Sequence, residues 1–337
     1  MALERDVAPL PPLSILDLAI VAKRQSVGDA LQSTVRVAQR AEQRGYRRVW
    51  YAEHHNMSSI GSSATSVLIA HVAAHTSTIR LGSGGVMLPN HSPLTIAEQF
   101  GTLAELHPGR IDLGLGRAPG SDQPTMRALR RTGRESDHFP QDVQELQGYL
   151  NGDTLVPGVN AIPGRDTHVP LYILGSSLFG AQLAAALGLP YAFASHFSPE
   201  ALEQAVALYR REFTPSEQLD HPYVIAAVNV IAADDDDEAQ AQFVAVRRSR
   251  ASRMLARGKD LTDDEVDALL ASPQGQLFSQ MMRYTAVGTP ATVADYLASF
   301  TEFAQADELM VVHASPGIDA RLKSLDLLAD VAGLVPA

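Results

Sequence analysis

Residues 48–88 read RVWYAEHHNMSSIGSSATSVLIAHVAAHTSTIRLGSGGVML. The apolar, aromatic run over 48–52 predicts a buried strand that stops at Glu53, His54 and His55. Ala, Val, Leu and Ile crowd 62–75, a run too long for a strand, and predict a helix. Residues 79–88, IRLGSGGVML, predict a second strand. Strand, helix and strand in direct succession make a βαβ unit, whose strands run parallel because the helix carries the chain back across the sheet.

The same alternation extends in both directions. Upstream lie a strand at 14–20 and a helix at 29–44, which Gly45 is placed to stop. Downstream, strands at 110–115, 171–174, 191–195, 223–232 and 308–313 are interleaved with helices at 94–106, 141–150, 179–187, 199–212, 234–250, 292–303 and 318–332. Eight strands, each followed by a helix, predict an α/β fold of the closed (β/α)8 TIM-barrel type, with an open doubly wound sheet as the alternative. Residues 151–168, rich in Gly, Pro, Asp and Asn, form an expected insertion after the fourth strand. The polar stretch 258–280 forms another after the seventh, either a lid or an ordinary helical insertion. Residues 1–13 read as an N-terminal extension and 14–335 as one barrel domain.

With 337 residues, 45% hydrophobic and 19% charged, the chain has ample material for a large core. A net charge of −11 argues against sequence-independent nucleic-acid binding and gives no attraction to an anionic membrane. Without cysteine there is no disulfide, thiolate nucleophile or sulfur-ligated zinc. The N-terminus carries acids and prolines where an export signal needs an apolar run, so a cytoplasmic protein is expected.

Two glycine clusters invite a dinucleotide reading and fail it. In GSGGVM the third glycine position holds Met87, and in GLGRAPG it holds Pro119; neither runs directly into a helix that would receive a pyrophosphate. Glycine inside a strand instead marks a bulge or the close approach of another molecule. Gly84 and Gly85 therefore read either as barrel curvature or as a bare surface for a flat ligand. LYILGSS brings Gly175, Ser176 and Ser177 to a strand-to-helix turn, where free N–H groups and hydroxyls suit a phosphate, although a serine there also serves as an ordinary N-cap. Arg117, closing the fourth strand, is a candidate partner for the same anion.

The adjacent histidines are separated by strand alternation. Glu53 and His55 project to one side, His54 to the other, on the face of small Ala52. That arrangement disfavours one shared metal ion, and no metal-binding helix motif occurs elsewhere. A structural pair and an acid/base site remain. The position at the C-terminal end of a barrel strand favours the latter, with His54 as the proton carrier.

Taken together, WYAEHH, LGSGGVMLPNHSPLTIAEQFGTL, HPGRIDLGLGR, PLYILGSS, LPYAFASHF and VGTPATVADYL resemble the bacterial luciferase-like flavin monooxygenases, in an order and spacing that cover nearly the whole chain. The resemblance implies a (β/α)8 barrel that binds reduced FMN at its C-terminal mouth. It implies His54 as the active-site histidine near the reactive edge of the flavin, and Gly84–Gly85 as a cis peptide under the ring. Arg117, Gly175, Ser176 and Ser177 would hold the phosphate, and Ala19 would also line the cofactor. The implied reaction is monooxygenation of a small organic substrate with O2, FMNH2 coming from an NAD(P)H-dependent flavin reductase; a homodimer is implied as well. Gly116 stands where light-emitting members carry a reactive cysteine, so light emission is not supported. Two other readings stay open: deazaflavin-dependent hydride transfer on the same barrel, and a flavin-binding protein without turnover.

Overall fold

The computed structural model describes residues 9–118, 122–255 and 259–336. The chain begins with β1 (Leu13–Asp17), α1 (Val27–Arg44), β2 (Arg48–Tyr51), α2 (Thr65–Ala73), β3 (Arg80–Met87), α3 (Pro93–Leu106) and β4 (Ile111–Gly116). A first excursion holds α4 (Gln123–Ala128) and α5 (Phe139–Asn151). Then follow β5 (Leu171–Gly175), α6 (Leu178–Leu187), β6 (Tyr191–Phe193), α7 (Leu202–Glu212) and β7 (Val224–Ala232). A second excursion carries α8 (Asp236–Leu255), α9 (Asp263–Ala271), α10 (Pro273–Gln280) and β8 (Thr285–Gly288). The chain closes with α11 (Pro290–Ala304), β9 (Glu308–His313) and α12 (Gly317–Val331).

All strands pair in parallel, and β6 pairs with β7, so β1 to β7 and β9 close into the eight-stranded barrel. Local chemistry explains the framing of its helices. Ser26 accepts the Asp29 N–H at the start of α1, and Gly45, at φ 82°, ends it. Asp235 accepts the Glu238 N–H at the head of α8, so the acidic run 234–237 opens that helix.

Three differences from the sequence reading have physical causes. β1 stops at Asp17, short of the expected residue 20, because Ala19 turns into the left-handed region (φ 48°), held by Asp17 Oδ1 on its N–H and by Gly61 N–H on its carbonyl. β6 stops at Phe193, short of residue 195, where the Ser195 N–H folds back onto the Phe193 carbonyl. A ninth strand, β8, sits outside the closed ring and pairs only with the second half of β7, from Asn229 to Ala232. From residue 259 onward, the stretch 258–280 is folded mainly as two helices. Thr262 and Glu265 form a capping box at α9, and Arg248 of α8 bridges Asp263 and Asp267. Val246, Val266, Leu270 and Phe278 give this excursion its own apolar seam. Gly258 lies outside the described residues. No helix among those described is long and apolar enough to cross a membrane.

The main core lies between the ring of strands and the helices around it. Inside the barrel, Leu16, Trp50, Ala52, Tyr172, Ile225, Ala227 and Met310 fill the middle layer. Below them, at the N-terminal end, Arg48 is only 2% exposed and is paired with Asp112 at 2.8 Å and Glu308 at 3.0 Å. Tyr172 takes a further Arg48 N–H, and Trp50 Nε1 and Arg80 also donate to Asp112. This end of the barrel is closed by charge, so a ligand must enter from the other.

Candidate active site at the C-terminal mouth

The inward face of β2 runs Arg48, Trp50, Ala52, and the same alternation carries His54 to the mouth. Its backbone N–H is tied to the Ser62 carbonyl at 3.1 Å. Nδ1 is buried without a partner; Nε2 has none among the described residues either, and solvent reaches it. Burial lowers the His54 pKa, Glu53 opposing and His55 adding to the effect, so the ring is neutral at pH 7.

Glu53 and His55 share the opposite face. Glu53, 1% exposed, accepts from His55 Nε2 at 2.7 Å and from His91 Nε2 at 2.9 Å on the same oxygen; its other oxygen accepts the Met87 N–H at 3.0 Å. Burial raises the Glu53 pKa, but these bonds outweigh it and hold the carboxyl below its ordinary range. The hydrogen bond to Glu53 in turn raises His55. The carboxylate thus orients His55 and His91, not His54, and pins the end of β3. Among the described residues, no group of three or more His, Cys, Asp or Glu is arranged to hold a metal ion.

Next to β2, the β3–β4 register slips between Ser83 and Val86. The slip holds Gly84 and Gly85, joined by a cis peptide bond. A Cβ on Gly84 would stand 2.8 Å from Leu16 Cδ1, and one on Gly85 would stand 2.8 Å from the Gly114 carbonyl oxygen. A Cβ at Gly84 would also stand 2.9 Å from Trp50 Cβ, so neither place takes a side chain without a shift, and none projects from the strand at these two residues.

The turn expected to take a phosphate lies further round the rim. Ser177 is the N-cap residue of α6, yet its hydroxyl makes no capping bond, and neither it nor Ser176 has a side-chain partner among the described residues. The Arg117 guanidinium stacks on the Phe179 ring at 4.0 Å, which holds it beside the first turn of α6, and it has no acidic partner among the described residues. Ala19 lies at the mouth end of β1 in its left-handed turn.

Sequence reasoning gave His196 no role and passed over Asn229, Arg250 and His91. Asn229 is the one polar side chain of β7, VIAAVNVIA, and faces inward with Ile225 and Ala227. Its Nδ2 donates to the His196 carbonyl at 2.7 Å, and its Oδ1 accepts from Arg250 Nη2 at 3.3 Å. His196 is driven down to about 3 by burial, with Arg250 and His54 adding to the effect. A lone polar residue at an inward position of an apolar strand was the legible signal for this cluster.

Comparison with known proteins matches this architecture. The family model described as luciferase-like monooxygenase matches residues 13–305. A luciferase-like monooxygenase of Escherichia coli K12 is 47% identical, over 94% of this chain and 96% of its own. The N-acetyl-S-alkylcysteine monooxygenase of Bacillus subtilis is 37% identical, over 69% of this chain and 71% of its own. The crystal structure of apo-MsnO8 superposes with a TM-score of 0.88 at 35% identity, covering 97% of this chain and 99% of that one. At 17–19% identity, the fold alone is shared with an FMN complex of a 3,6-diketocamphane monooxygenase constituent from Pseudomonas putida and with a coenzyme F420-dependent reductase of Methanopyrus kandleri. The parallel barrel, its C-terminal rim and these full-length likenesses converge: the chain belongs to the luciferase-like monooxygenase family.

Proposed function

We propose that the protein is a flavin-dependent monooxygenase that takes reduced FMN from a separate NAD(P)H-dependent reductase and oxygenates a small organic substrate with O2. The observation that carries this reading is the bare Gly84–Gly85 backbone on the strand beside the one that delivers His54. A planar ring can lie against a wall that has no side chains, with a neutral imidazole at hand.

The residues present fit FMN. Arg117, Ser176, Ser177 and the N–H groups that open α6 offer donors to its phosphate that are uncommitted among the described residues, and Gly175 stands beside them at the end of β5. Ala19, Gly84 and Gly85 would line the ring. Reduced FMN, when bound, supplies the electrons and the oxygen chemistry. The chain orients the substrate, excludes water and moves protons. His54, held toward its neutral form by burial and without a side-chain partner among the described residues, accepts and returns a proton at Nε2, the nitrogen that solvent reaches.

The test is a pair of titrations followed by turnover. Reduced FMN is expected to bind at micromolar concentration, more tightly than coenzyme F420, and O2 uptake is expected once a flavin reductase and a thioether substrate are added. Absence of FMN binding, or a preference for F420, would sink the proposal. Tight FMN binding with no O2 uptake across a substrate panel would leave a flavin-binding protein without turnover.

A further inference from the structure

The buried and half-buried arginines of this chain are mostly met by carboxylates. Arg48 has Asp112 and Glu308, Arg210 has Asp307, and Arg248 has Asp263 and Asp267. Arg250, two residues beyond Arg248 on α8, is different. Two residues turn an α-helix by more than half a circle, so Arg250 points away from the acids of α9 and toward the barrel. Its one hydrogen bond among the described residues is the 3.3 Å contact to Asn229 Oδ1, and no acid pairs with it there. Solvent reaches its remaining nitrogens. Burial draws its pKa down to about 10, with Arg253 adding to the effect. A partly desolvated cation with no acid beside it among the described residues is well placed to receive an incoming anion.

Its surroundings carry further unfilled capacity. Asn229 holds Arg250 and the His196 carbonyl at once, which fixes the guanidinium over the inward end of β7. His196 is nine-tenths buried, and among the described residues its Nδ1 has no partner; neither has Nδ1 of His54, which lies close enough to act on His196. Among the described residues, Arg117 and Arg250 are cations at the rim to which no acid is paired. Arg117 stands at the end of β4 beside α6, and Arg250 stands over β7, on the far side of β5 and β6. One FMN phosphate answers only the first.

We propose that Arg250, positioned by Asn229 and joined by His196, binds a carboxylate carried by the organic substrate, and so selects for acidic substrates. This rests on the monooxygenase reading for the word substrate, but not for the anion site itself. Arg250 offers a fork of N–H groups that suits the two oxygens of a carboxylate.

The test uses the full chain and two matched pairs of probes: N-acetyl-S-benzylcysteine against its carboxamide, and octanoate against octanamide. Each is titrated with and without FMN. The wild type is expected to bind at least one acid about tenfold or more tightly than its amide, since bonds to a charged group strengthen binding by about that factor. Arg250→Gln is expected to abolish the preference, and Arg250→Lys to keep part of it. The inference is overturned if the wild type prefers neither acid or binds none of the four probes, or if correctly folded Arg250→Gln retains the preference. It is overturned too if Arg250→Gln weakens FMN as much as acid, for the arginine then serves the flavin. An acid preference in a protein that fails to bind FMN would leave this site standing and remove the flavin reading.

Discussion

Replacing Glu53 separates two kinds of support at the mouth. Glu53→Ala removes the acceptor of three donors: His55 Nε2, His91 Nε2 and the Met87 N–H. A hydrogen bond to a charged group contributes about 1.5–3 kcal/mol, but His55 and His91 are partly exposed and water recovers much of their share, so the summed loss is about 3 kcal/mol. Glu53→Gln has a way out. Its carbonyl can take the Met87 N–H while its two amide hydrogens face His55 and His91, both of which bond the same Glu53 oxygen. Each imidazole then accepts at Nε2 and carries its proton on Nδ1. Every bond is remade without charge, so the loss is about 1 kcal/mol. The pH dependence follows from the two shifts. The lowered Glu53 carboxyl contributes stability above its ordinary value of 4.5, lost as pH falls through the folded value. The raised His55 contributes fully below its ordinary 6.5, lost as pH rises through the folded value. The deficit of either variant is therefore largest between about pH 5 and 6.5 and shrinks at alkaline pH. Urea unfolding at pH 6 and pH 8.5 measures it, and an NMR titration should show His55 shifted downward in both variants. Equal stability of the Ala and Gln proteins, or a gap indifferent to pH, would refute the reasoning.

Other substitutions test other parts of the site. His54→Ala should lower turnover by about 10²–10⁴-fold while FMN affinity stays within about twofold. The wild-type kcat profile should bend below pH 6.5, because burial lowers His54; an unchanged rate would remove its proton-carrying role. Arg117→Ala should weaken FMN by about tenfold to a hundredfold and riboflavin far less, since the lost contact is to phosphate; equal effects on both ligands would place the arginine elsewhere. Arg48→Met should cost about 3 kcal/mol, near the low end for breaking a buried pair. Asp112 keeps Arg80 and Trp50, and Glu308 keeps Ser14 and Tyr223. Urea unfolding should show that loss, and a change below about 1 kcal/mol would mean the three charges are not coupled.

The alternation of apolar strands and helices made the barrel legible, because each βαβ step has its own periodicity. β8 was not legible: TAVG is four residues long and its pairing depends on how far β7 outruns β6. His54 could be read from two-residue alternation, since Ala52 beneath it fixes the inward face. Arg250 could not, because RRSRASR on a helix looks like a solvated charged face until the partners of each arginine are known. The Arg48, Asp112 and Glu308 network was hidden for the same reason. Arg48 and Asp112 each sit alone in an otherwise apolar strand, Glu308 shares β9 with His313 at its far end, and only barrel closure brings β2, β4 and β9 around one interior. The Glu53 and His91 contact joins two loops separated by α2 and β3, a distance that local pattern does not span.

The shortness of β6 has a consequence for how this mouth can change. β6 covers only Val224 to Ala226 of its neighbour, and β8 takes up the same edge of β7 from Asn229 onward. The segment between the end of β7 and the end of β8 therefore leaves and rejoins one strand at neighbouring ladder positions. It is a cassette with its docking register built in. Exchanging it would replace the arm bearing Arg250 while leaving every closing strand, His54 and the glycine wall in place. Deleting it would bare a parallel edge at the rim, so replacement and not loss is the change this architecture tolerates.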